Sequence, residues 1–145
     1  MIAREFREFV DNVMDRHEIS VEDVKKLQRE ILQDVVMTRD VIDVLVALER
    51  AVPASCPDYA DYLVALTVDY AVWESRPTGV IDRDKAHWLV TTLGAGEGPT
   101  PTAIRIAFEI VREAERCDEA LVAFAMQRQV HRLPVRREAR MLLAS

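Results

Sequence analysis

Apolar residues return every three or four positions along almost the whole chain, and no run alternates apolar and polar positions over a strand's length. In "AREFREFVDNVMDR", residues 3 to 16, Phe6, Phe9, Val10, Val13 and Met14 fall on one stripe, the spacing of an amphipathic helix. After the break "HEIS", Ser20 is placed to cap a second helix, with Asp23 three positions on as an acidic variant of the capping box. Val21, Val24, Leu27, Ile31 and Leu32 continue its apolar face. A third helix is expected from about Thr38 to Val52, with Val41, Leu45 and Leu48 inward and Pro53 ending it. The fourth, about 58 to 75, is apolar on most of its circumference and reads as a central helix.

The pattern then restarts. Asp82 caps a fifth helix through Ala86, Leu89, Val90 and Leu93, and "GAGEGPTP" reads as a C-cap and linker. A sixth helix is expected from about Thr102 to Arg116 through Ile104, Phe108 and Val111, and "DEALVAFAMQRQV" makes a seventh. Ile19 and Ile81 align at an offset of 62, and Glu49 with Arg112 at 63, so the chain reads as a three-helix unit written twice. The expectation is an all-α fold of about seven helices in a single helical domain over residues 1–145. It comprises tandem units at about 3–52 and 57–117, then a terminal helix and basic tail at 118–145.

Composition narrows the function classes. A chain of 145 residues, half of them hydrophobic, can bury a full core without a staple. Cys56 and Cys117 lack the spacing of a zinc or redox pair and read as structural residues in a reducing compartment. The opening "MIAREFREFV" has no signal-peptide core, and the most apolar stretch, "YLVALTVDYAVW", is too short to span a bilayer, so a soluble cytoplasmic protein is expected. Arginine outnumbers lysine sixteen to three, which with the Ala and Val content points to a GC-rich bacterial genome.

The net charge of -6 argues against nucleic acid binding over the whole surface. Charge is uneven, however: residues 1–126 carry 14 Lys and Arg against 24 Asp and Glu, whereas residues 127–145 carry five Arg against one Glu. In "HRLPVRREARMLLAS", Arg132, Arg136, Arg137 and Arg140 lie among Val135, Leu142 and Leu143. This segment either docks on the acidic body or offers those arginines to an acidic partner, RNA or an anionic membrane face.

The two breaks resemble calcium-binding EF-hand loops, which take oxygen ligands at positions 1, 3, 5 and 12, glycine at 6 and an apolar residue at 8. With Gly79 at position 6, Ile81 falls at 8, but Glu74, Arg76, Thr78 and Lys85 stand at 1, 3, 5 and 12. Arg76 and Lys85 put cations where calcium needs carboxylates. In the first break, Asn12, Met14, Arg16, His17 and Asp23 stand at 1, 3, 5, 6 and 12, also an unfit set. Ile19 and Ile81 are expected to pair the two loops side by side. Tandem breaks of this kind, over about residues 6 to 117, also resemble the tellurite-resistance TerB-like proteins, all-helical bacterial domains. That resemblance implies divalent-metal binding in a stress response through helix carboxylates such as Asp11, Asp15, Asp58 and Asp61.

No signature of an enzyme stands out: there is no GxSxG, no cysteine with a neighbouring histidine and no phosphate loop. His17, His87 and His131 form no HxxxH pair and read as surface or satisfied residues, and Trp73 reads as a core anchor. Asp11 and Asp15, one turn apart, could with Glu22 hold a cation, but read as a solvated face. The expectation is a non-enzymatic protein-interaction or assembly module without cofactor, with an unidentified protein partner or a second copy of itself.

Overall fold

The computed structural model describes residues 3–126. Seven helices are found among them: α1 (Arg4–Arg16), α2 (Val21–Lys26, continued by a wider π-helical turn at Leu27–Ile31), α3 (Arg39–Ala51), α4 (Pro57–Val68, continued by π-helical Asp69–Glu74), α5 (Arg83–Leu93), α6 (Pro101–Glu113) and α7, seen over 119–126. The fold class is therefore helical. No helix among the described residues is long and apolar enough to cross a membrane.

Local chemistry explains most boundaries. Thr38, Asp82 and Thr100 each accept a backbone N–H from the third residue of the helix that follows, and Ser20 does so within a full capping box closed by Asp23. Pro57 and Pro101 stand at first helical positions, where a missing N–H costs nothing. His17 and Gly79 both have positive φ, 59° and 79°, and occupy matching places at the two breaks.

Four two-residue strands were not foreseen: β1 (Glu18–Ile19), β2 (Ala54–Ser55), β3 (Val80–Ile81) and β4 (Arg116–Cys117). They are too short to show alternation. Their pairing also corrects the expectation that Ile19 and Ile81 bring the two breaks together. Instead β1 runs parallel to β2, with Ile19 opposite Ser55, and β3 runs parallel to β4, with Ile81 opposite Cys117. Each pairing is a parallel crossover closed by the helices between its strands.

The chain divides into two compact units, Met1–Tyr70 and Ala71–Ser145, with the division inside the π-helical stretch of α4. In the first, α1 lies on α3 and on the π turn after α2, and α4 lies on α2 and α3. Phe6, Val13, Ile19, Leu27, Ile42, Leu45 and Leu63 fill its core. Tyr59 is fully buried there, and its hydroxyl donates to the Leu45 carbonyl oxygen at 2.7 Å. Burial, with the charge of Glu49 and the neighbouring Tyr62 as lesser causes, holds that phenol's pKa far above its ordinary value.

In the second unit α5 packs on α6. Its core contains Val72, Ile81, Leu89, Leu93, Ile106, Ile110 and Leu121. The element bounds recur at a spacing of 62: Arg39–Ala51 against Pro101–Glu113, and Glu18↔Ala54 against Val80↔Arg116.

Three side chains depart from their expected places. Phe108 and Met14, assigned to apolar stripes, are partly exposed, at 39% and 40%. Trp73, expected as a core anchor, is 39% exposed, whereas Trp88 is buried. Trp73 lies near the end of the π-helical stretch, and helical periodicity says nothing about a ring at the last turn of a helix.

Candidate functional site

Among the described residues, the turn between α4 and α5 is a heavily built polar feature. Lys85, third residue of α5, is 1% exposed, and its ammonium Nζ donates to the carbonyl oxygens of Ala71 (2.7 Å), Ser75 (2.8 Å), Pro77 (2.7 Å) and Val80 (2.9 Å). The last carbonyls of a helix have no intrahelical partner. Lys85 satisfies that of Ala71, and the Gly79 amide satisfies that of Val72 at 2.6 Å. Sequence reading placed Lys85 at a ligand position as an obstacle to calcium. The structure shows that its charge enters the centre of the turn.

The same turn supports a surface feature. Trp73 donates its indole N–H to a Glu113 carboxylate oxygen at 3.2 Å. A Cβ built on Gly79 would lie 3.1 Å from a Glu115 carboxylate oxygen and 3.4 Å from Cζ3 of Trp73, so both side chains pass close to this glycine. The Glu115 amide also donates to the Gly79 carbonyl at 2.8 Å, tying the approach to β4 to the turn. The result is a partly exposed indole bonded to the exposed Glu113, with the exposed Glu115 beside the neighbouring Gly79. Glu113 and Glu115 had no signal in the sequence, because their relation to Trp73 spans 40 residues or more.

The first break is built differently. Asp23 accepts from the Ser20 amide at 2.9 Å and from Arg16 Nη2 at 2.8 Å. Burial pushes its carboxyl up, but the hydrogen bonds from Ser20 and Arg16 outweigh this and leave its pKa below the ordinary value. A groove of about 400 Å³ runs beside it, with Glu5, Glu8, Asn12, Lys26 and Glu30 over Phe9 and Ile31.

The predicted site residues are not brought together. Asp11 and Asp15 are exposed on α1, and Asp58 and Asp61 are exposed on α4. Among the described residues no group of three or more His, Cys, Asp or Glu is placed to hold a metal ion. His17 and His87 are exposed. Cys56 and Cys117 are free thiols, and burial, with the Asp118 charge beside it, pushes the Cys117 thiol up to about 11. His131, Arg132, Arg136, Arg137 and Arg140 lie outside the described residues. Comparison with family models, curated proteins and solved structures returns no match.

Proposed function

We propose that this chain is a non-enzymatic interaction module that receives an arginine-bearing segment of a protein partner at Trp73. The observation that supports this is the partly exposed indole bonded to the exposed Glu113, with Glu115 close to the same glycine, Gly79, that the ring packs beside. A guanidinium stacked on an indole gains a cation–π attraction, and nearby carboxylates add charge-assisted hydrogen bonds to the same cation. Tryptophan is also among the residues that most often anchor protein interfaces. Nearby Arg112 is engaged with Glu109 at 2.9 Å.

Residues 127–145, with five arginines against one glutamate, have the composition such a surface takes. A partner with a similar segment, or a second copy of this chain, fits the reading. The test uses a labelled peptide of sequence 127–145 titrated into the full chain. Binding that weakens with salt and is lost in both Trp73→Ala and the double variant Glu113→Gln/Glu115→Gln is expected. Affinity unchanged in those variants rejects the reading.

A further inference from the structure

We propose that residues 71–80 form a cation-binding cage whose occupant is the chain's own Lys85 ammonium, and that the cage accepts a free primary ammonium ion when the lysine is shortened. Four carbonyl oxygens converge on Nζ within 2.7 to 2.9 Å, and the side chain is almost wholly withdrawn from water. An ammonium has three N–H donors, so four acceptors at this range surround the charge rather than merely satisfy it. Backbone carbonyls arranged around a monovalent cation are how proteins replace an ion's hydration shell.

The position argues that the cage, and not the helix, selects the charge. The third residue of a helix lies at the positive end of its dipole, where a cation is disfavoured and a carboxylate preferred. At the matching place in the first unit Asp23 follows that preference and closes a capping box. Lys85 keeps its backbone in the cap, with its amide donating to Asp82 Oδ1 at 2.9 Å, but sends its charge away from the helix start. Its target is the carbonyl end of α4, where the dipole favours a cation, together with three carbonyls of the turn. The ammonium thus joins the end of one helix to the start of the next, as a bound ion would. Because the ion is tethered, its occupancy does not depend on supply from solution.

The experiment is chemical rescue. Lys85→Ala removes three methylenes and the ammonium, the atoms that n-propylammonium restores. The melting temperature of Lys85→Ala should fall well below that of the wild type. It should then rise with n-propylammonium, by roughly 3 to 8 °C at ten times its dissociation constant, and not with equal propan-1-ol or tetramethylammonium. Lys85→Met, which keeps the bulk without the charge, should be destabilised and give no response to propylammonium. It carries the test if Lys85→Ala does not fold. A Lys85→Met protein as stable as the wild type overturns the proposal, as does a Lys85→Ala protein that responds to propylammonium no more than to propanol.

Discussion

Asp23 and Lys85 stand at the same place, third in a helix that follows a two-residue strand, 62 positions apart, yet they carry opposite charges and turn in opposite directions. Asp23 folds back on its own cap and meets Arg16 at the surface. Lys85 reaches through the turn to the end of the preceding helix. One helix start is closed by a local carboxylate. The other is tied down by a buried cation held by carbonyls five to fourteen residues away.

The Asp23 arrangement predicts an acid-labile contribution to stability. Its folded pKa lies below the ordinary 3.8, so the contribution is fully present above the unfolded value and fades as pH falls through the folded one. Asp23→Asn should therefore be less stable than the wild type at pH 7, with the difference shrinking below pH 3.8. Denaturation midpoints of the two proteins between pH 7 and 2 check this; parallel curves would show that Asp23 makes no pH-linked contribution. Ser20→Ala, which removes the other half of the box, should cost about 1 kcal/mol at neutral pH.

His17 and Gly79 share a left-handed backbone, but only one of them is glycine. A non-glycine residue there costs roughly 1 to 2 kcal/mol, offset in part by the lower unfolded-state entropy of histidine. Exposed His17→Gly should stabilise the protein by about 0.5 to 1 kcal/mol. Gly79→Ala should do the reverse, because its Cβ would be strained at φ 79° and would press on Glu115 and Trp73. Urea denaturation of both variants should show midpoints moving in opposite directions.

Tyr59→Phe tests a buried hydroxyl bond that crosses from α4 to α3 in the first unit. The ring and its packing remain while the donor to the Leu45 carbonyl is lost, so the expected loss is about 1 kcal/mol, measured by chemical denaturation. A neutral result would show that this second bond, to a carbonyl already within α3, adds nothing to stability.

Ile19 and Ile81 are 2% and 1% exposed, each the second residue of its strand. Alanine at either position should cost about 2 to 5 kcal/mol. Calorimetry of the two variants checks both values. A loss below 1 kcal/mol at either would show that its surroundings collapse around the missing side chain.

The amino-acid sequence by itself determined the helices and the way they start. Ser20, Thr38 and Asp82 act through hydrogen bonds to residues three positions on, and a recurring apolar face needs only the helical period, so both are local. It also marked His17 and Gly79 as matching positions. Tertiary structure decided the rest. The strand pairings are two residues long and join segments 36 positions apart, so no alternation announces them. The surroundings of Trp73 are set by Glu113, the last residue of α6, about 40 positions away in the chain, and by the packing of Gly79 against the ring. Lys85 was legible as a cation at a ligand position, but a lysine carries its charge on four flexible methylenes. Where that charge comes to rest is fixed by carbonyl oxygens that only the folded turn brings together.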